Sequence, residues 1–220
     1  MDQERYTHWK ELYEDAKKTM AEGRGYGVLI EVAAQHPLVN GIRPNPEFKA
    51  RLREAMRLYW EFSKIYGFVV IYVPGSRHQH NKVVDDVSLS TAGKNYLIEH
   101  GIPRDVIYAD ESNEKYKGSD GVYNSSDECY VACKLYKELG ARELHCVCSP
   151  AQAMRKVLSY IQFGYVPNVH TVSCSEMHHD YIDELFFNIP KLLLDGQGLQ
   201  GDSPLGREIR KRRKPSLHRG

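Results

Sequence analysis

The segment Phe68-Val69-Val70-Ile71-Tyr72-Val73-Pro74-Gly75-Ser76 is an unbroken apolar run closed by a Pro-Gly turn. An apolar run this short, bounded by turn residues and rich in β-branched and aromatic side chains, reads as a strand buried on both faces. Strands of that kind belong to parallel sheets covered by helices. The segment Val28-Leu29-Ile30-Glu31-Val32-Ala33-Ala34 has the same character, and a loop with Pro37, Asn40, Gly41, Pro44 and Pro46 separates it from a predicted helix at about Glu47 to Lys64.

Outward from this pair the alternation continues. Helical spacing predicts a helix near Ser90 to His100, a short strand follows at Val106-Ile107-Tyr108, and a helix is expected near Ser125 to Leu139. A strand at Leu144-His145-Cys146-Val147-Cys148, a helix from Pro150 to Phe163 and a strand near Val169-His170-Thr171-Val172 complete the series. Strand and helix in strict alternation call for parallel pairing through right-handed crossovers. The expected architecture is α/β, a three-layer sandwich around a mostly parallel five-stranded sheet. Its strand ends at Ala34, Pro74, Tyr108, Cys148 and Val172 should face one cleft.

Flanking this core, Tyr6, Trp9, Leu12, Tyr13, Ala16 and Met20 recur at helical spacing and stop at Gly23 and Gly25, so residues 1–25 are expected to hold an N-terminal helix. The α/β domain is expected over 26–195, closed by a helix near Asp180 to Leu194. Gly196, Gly198 and Gly201 then open a linker and basic tail over 196–220.

The 220-residue chain is 41 % hydrophobic and 27 % charged, which excludes a disordered or collagen-like chain and a disulfide miniprotein. The charged opening Met1-Asp2-Gln3-Glu4-Arg5 argues against a secretory signal, no stretch is apolar enough for a spanning helix, and a cytoplasmic protein is expected. The net charge of +1 hides an asymmetry, because Arg207, Arg210, Lys211, Arg212, Arg213, Lys214 and Arg219 crowd the end of an otherwise acidic chain. Nucleic acid is therefore a possible partner through this tail only, beside the simpler reading of a solvated tail.

Cys129, Cys133, Cys146, Cys148 and Cys174 are odd in number and lack a secreted spacing, so reduced thiols are expected. Cys129 and Cys133 lie one helical turn apart and Cys146 and Cys148 share a strand face, so four thiolates could hold zinc if helix and strand packed together. Buried apolar thiols are the commoner case. The pair His78 and His80, with His178-His179, could likewise ligate a metal, but no carboxylate pair stands at ligand spacing.

Ligands of open parallel sheets bind beyond the carboxyl ends of the strands. That filter selects Pro74-Gly75-Ser76, a glycine turn whose amides could approach an anion, and Ser149-Pro150-Ala151-Gln152-Ala153-Met154-Arg155. There Ser149 is a natural N-cap, Pro150 a natural first helical residue, and Arg155 a cation within two turns. The run Asn124-Ser125-Ser126-Asp127-Glu128 opens a helix with caps and acids that suit its dipole, and it also offers a carboxylate for proton transfer. Gly25-Tyr26-Gly27 precedes its strand and so fails as a dinucleotide fingerprint.

Taken in order, these boxes resemble the SanA/YdcF-like family over Val28 to Val172. Arg51-Leu52-Arg53-Glu54-Ala55 looks like the family's arginine helix, and Pro74-Gly75-Ser76 is similar to its glycine turn. Ser90-Thr91-Ala92 matches its Ser-x-Ala, and Leu97-Ile98-Glu99-His100-Gly101-Ile102-Pro103 its leucine and Gly-Ile-Pro run. Asp110, Ser112 and Asn124-Ser125-Ser126-Asp127-Glu128 correspond to its acidic residue, serine and Asn-Thr-x-Glu-Asn box. Cys148-Ser149 with Gln152 and Arg155 corresponds to its last box. The family histidine is Gln152 here, the Glu-Asn pair is Asp127-Glu128, and Asn113 to Val122 are additional.

The resemblance implies a Rossmann-like fold and a polar pocket for a small anionic ligand, nucleotide-like or S-adenosylmethionine. The expected activity is hydrolysis or group transfer on a phosphorylated or nucleoside-bearing molecule. A non-catalytic ligand sensor and an S-adenosylmethionine-binding protein are the alternatives. The expected ligand-binding residues are Arg51, Gly75, Ser76, Ser90, Asn124, Ser125, Ser149, Gln152 and Arg155. With imidazole missing at Gln152, proton transfer falls to Asp127, Glu128 or Asp110, with Asp127 in the family's glutamate position. Three carboxylates converging there would need Arg51, Arg155 or a divalent metal to balance them.

Overall fold

The computed structural model describes residues 26–35, 38–76, 79–80, 83–84, 86–109, 125–174 and 189. The expected N-terminal helix, the closing helix, the basic tail, His78, His178, His179, Asp110, Ser112 and Asn124 lie outside them.

The elements are β1 (Gly27–Val32), α1 (Pro46–Phe62), β2 (Phe68–Val73), a short antiparallel pair β3 (Gln79–His80) and β4 (Val83–Val84), and α2 (Leu89–Glu99). After them come β5 (Ile107–Ala109), α3 (Ser125–Leu139), β6 (Glu143–Cys148), α4 (Pro150–Ile161) and β7 (Asn168–Thr171). Five strands form one sheet in the order β5-β2-β1-β6-β7. Every pairing in it is parallel, with Leu29 opposite both Val70 and Leu144, Ile71 opposite Ile107, and Cys146 opposite Val169. The three-layer α/β sandwich expected from the sequence is thus present, and all five carboxyl ends lie along one edge. The β3–β4 pair was not expected; its strands are two residues each, too short to carry a periodic signal.

Because β1 and β2 are covered on both sides, their alternate residues feed two separate cores. Val28, Ile30 and Val32 pack with Phe48, Leu52, Ala55 and Leu58 of α1 and Leu97 of α2. Leu29, Tyr72, Leu144 and Cys146 face the other way, onto Cys129, Ala132 and Cys133 of α3 and Tyr160 of α4. The chain runs outward from β1 through β2 to β5, then returns to the other side of β1 for β6 and β7. Strand order therefore reverses between β1 and β6, the position where parallel sheets open a crevice.

Helix starts differ in how their free amides are met. Asn45 caps α1 by accepting from Phe48 N at 2.8 Å, and Ser88 caps α2 by accepting from Thr91 N at 3.0 Å. Leu89 N and Ser90 N, also at the start of α2, donate to Ser76 O at 3.3 Å and Gly75 O at 3.0 Å. Ser149 has the extended backbone of an N-cap before Pro150, yet its side chain makes no capping bond.

Candidate functional site

The open cap of α4 sits at the switch point. Ser149 follows the last residue of β6, is fully buried, and its Oγ has no hydrogen-bond partner among the described residues. Gln152, three residues on, is 5 % exposed, and its Oε1 is also without a partner. The sequence Ser149-x-x-Gln152 has the form of a capping box, in which the two side chains would satisfy each other's backbone amides. Here neither does. Buried polar atoms left this way cost about 1–3 kcal/mol each, so they are usually retained for a ligand, an ion or a water.

Arg51, expected among the ligand-binding residues, is fully buried below the carboxyl end of β1. Its Nη1 donates to Ala33 O at 2.8 Å and Ala34 O at 3.3 Å, and its Nη2 to Gln35 Oε1 at 3.4 Å and to Glu47 in an ion pair one helical turn away. The planar guanidinium thus fixes the segment leaving β1, and Ala33 N in turn donates to Val147 O at 2.9 Å. Arg51 positions the chain leaving β1 beside the switch point, and its charge is already matched by Glu47.

The first turn of α3 brings Ser125, Asp127 and Glu128 to the α4 side of the sheet, all buried, with Asp127 fully so. Arg155 Nη1 donates to Ser125 Oγ at 2.8 Å, joining two residues that the sequence reading placed in one pocket. Glu128 is not a free carboxylate. Lys156 Nζ meets its Oε2 at 2.5 Å and also pairs with Glu31 on β1, while Tyr160 OH donates to the other Glu31 oxygen at 2.7 Å. Burial alone would push the Lys156 ammonium toward its neutral form, but Glu128 and Glu31 outweigh it and hold the pKa well above its ordinary value. The result is a charged clamp linking α3, α4 and β1.

Gly75, Ser76 and Ser90 are grouped at the start of α2. Gly75 has φ +114, and a Cβ there would stand 2.8 Å from Leu89 Cβ and 3.1 Å from Ala34 Cβ, so glycine is required. The carbonyls of Gly75 and Ser76 serve α2, whereas Ser90 Oγ is fully buried without a partner among the described residues.

Helix α3 and strand β6 do pack together, and Cys129, Cys133, Cys146 and Cys148 enter one apolar core. Burial raises the thiols of Cys129, Cys133 and Cys146 well above their ordinary range, whereas the hydrogen bond from Cys146 lowers that of Cys148. Among the described residues, no group of three or more His, Cys, Asp or Glu is arranged to hold a metal ion.

Sequence reasoning missed Glu31, Lys156 and Tyr160. The signal was available: one carboxylate inside a doubly buried strand must find a buried partner. Lys156 lies four residues after Gln152 and four before Tyr160, on the inward stripe of α4. Also missed was the pair His145 and His170, described below. No protein-family model, curated protein or solved structure matches the chain.

Proposed function

We propose that the chain is a SanA/YdcF-like α/β protein that binds a phosphorylated or nucleoside-bearing small molecule at the β1–β6 switch point and carries out hydrolysis or group transfer on it. The observation that carries this reading is the open cap of α4, where Ser149 Oγ and Gln152 Oε1 are buried and without a partner among the described residues. The first turn of that helix favours an anion through its amides and dipole, and Arg155 on the same helix supplies a cation. Ser125 fixes the direction of Arg155.

Chemistry at such a site needs a proton acceptor. Glu128 is engaged by Lys156, and the base this reading assigns is Asp127, fully buried in the first turn of α3 and in the position of the SanA/YdcF-like glutamate. A second reading, a ligand sensor without turnover, is favoured by that same engagement together with the amide at Gln152. No helix among the described residues is long and apolar enough to cross a membrane.

The test is a thermal-shift screen of nucleotides, sugar phosphates and S-adenosylmethionine, with and without magnesium. A specific ligand at about 100 times its Kd adds about 2.7 kcal/mol of stability. Arg155→Ala should weaken a phosphorylated hit by about 1.5–3 kcal/mol in calorimetry. Asp127→Asn should keep that affinity and lose at least about a hundredfold in rate. Binding with no turnover by the parent protein would select the sensor, and unchanged affinity in Arg155→Ala would move the site away from α4.

A further inference from the structure

A chain of hydrogen-bonding groups ties the edge strand β7 to the rest of the fold, independently of the α4 site. His145 on β6 and His170 on β7 face each other with Nδ1 of the first 2.8 Å from Nε2 of the second. The outer nitrogen of His145, Nε2, lies 3.0 Å from Glu143 Oε2, and Tyr66 OH donates to the other Glu143 oxygen. The outer nitrogen of His170, Nδ1, lies 3.9 Å from Glu54 Oε1, which is beyond hydrogen-bond reach. Glu54 is held by Arg57, which donates to it at 2.9 and 2.7 Å and also pairs with Glu61. The Phe62 ring packs on His145 at a centroid distance of 4.6 Å.

This arrangement fixes the protons. A carboxylate at Nε2 requires the N–H of neutral His145 to be there, so its Nδ1 is the acceptor and His170 Nε2–H the donor. His170 Nδ1 is left as a lone pair aimed toward Glu54. One added proton can enter at that atom without disturbing the pair. A second must enter at His145 Nδ1, where it sets two N–H groups and two cations against each other at a distance that only a hydrogen bond permits. Of the charged groups around the pair, Glu143 and Arg142 come from the β6 side and Glu54, Arg57 and Glu61 from α1. The carboxylates nearest the imidazoles, Glu143 and Glu54, are each already engaged by Tyr66 or Arg57.

We propose that His145 and His170 form a pH-sensitive latch: while at most one proton is added to the pair, β7 is fastened to β6, and full protonation releases it. β7 continues into Val172, whose N–H donates to Cys148 O at 2.9 Å beside Ser149. Release of the strand therefore reaches the carboxyl edge of the sheet.

Amide hydrogen exchange on the full chain tests this, with protection factors corrected for the intrinsic effect of pH. Between about pH 7.5 and about pH 5, β7 should lose at least about tenfold in protection relative to β1. In His170→Gln, which keeps a donor and cannot charge, the ratio of β7 to β1 protection should stay constant over that range. Imidazole nitrogen chemical shifts of the unmodified protein should show His170 protonating before His145, a readout that needs no substitution. A constant ratio in the unmodified protein overturns the latch, as does the reverse protonation order or an unchanged acid loss in a folded His170→Gln.

Discussion

Lys156 Nζ lies 2.5 Å from Glu128 Oε2 across the interface of α4 and α3, and the same ammonium pairs with Glu31 in the centre of the sheet. Two carboxylates share one buried cation, with the Tyr160 hydroxyl on the far side of Glu31. Such a cluster adds little net stability over well-packed apolar residues, but removing one member strands the others.

Lys156→Met should therefore cost about 3–5 kcal/mol, because Glu31 and Glu128 are left buried without their cation. Urea denaturation at neutral pH measures it. Adding Glu31→Gln to the same chain removes one of the stranded charges and should recover part of the loss. A cost under about 1 kcal/mol would show that water reaches these carboxylates and that the clamp is not dry.

The sheet was legible because its strands are apolar on both faces: Val28 to Val32 and Phe68 to Val73 could be nothing else once helical periods separated them. Element ends were less so. Sequence extends β1 to Ala34, whereas the strand stops at Val32 and the next two carbonyls accept from Arg51. That capture depends on a side chain arriving from α1, which no local pattern encodes. In the candidate site, placement was legible where a rule of position applied: Ser149 and Gly75 follow strand ends and Ser125 opens α3. It was not legible where two distant residues complete each other, as Glu31 with Lys156 and His145 with His170, because each alone reads as an isolated polar residue in an apolar run.

Arg51 is a second point of dependence. Arg51→Lys keeps the charge for Glu47 but replaces a planar fork with a single ammonium, which cannot hold Ala33 O, Ala34 O and Gln35 Oε1 together. A loss of about 1.5–3 kcal/mol is expected. In the same variant, amide exchange at Ala33 and Ala34 should speed up more than at Leu29. Equal changes at both would mean that Arg51 supports the core generally and has no special hold on the chain leaving β1.

Acid should weaken the fold in two stages. The pKa values of His145 and His170 are below the ordinary 6.5, burial being the largest cause at each, so the unfolded chain takes up these protons more readily than the folded one. Their contribution is present above about pH 6.5 and is lost as pH falls through the lowered folded values. Glu54 is lowered chiefly by its hydrogen bond with Arg57. At Glu143, burial opposes the shift and is outweighed by Tyr66 and His145. Their contributions are present above the ordinary 4.5 and disappear further into acid. Urea midpoints measured from about pH 8 to about pH 3 should be flat at first and then fall in that order. A midpoint that stays flat to about pH 5 contradicts the histidine stage.

The caps give the most direct check on the α4 site, because they can be compared within one protein. Asn45 accepts from Phe48 N at 2.8 Å, so Asn45→Ala should cost about 1 kcal/mol, the usual worth of a filled cap. Ser88→Ala removes the bond to Thr91 N at 3.0 Å and should cost a similar amount. Ser149→Ala is different. Its hydroxyl makes no capping bond and is buried without a partner among the described residues, so without ligand the substitution removes a desolvated group at the loss of no bond and should leave stability unchanged or raise it by up to about 1–3 kcal/mol. With a phosphorylated ligand found in the screen, the same substitution should weaken binding by about 1.5–3 kcal/mol if Ser149 donates to the anion. Denaturation of the ligand-free variants and calorimetry of the liganded ones separate the two roles. If Ser149→Ala costs the free protein as much as Asn45→Ala, the hydroxyl already caps α4 in solution and the anion has no open cap to fill.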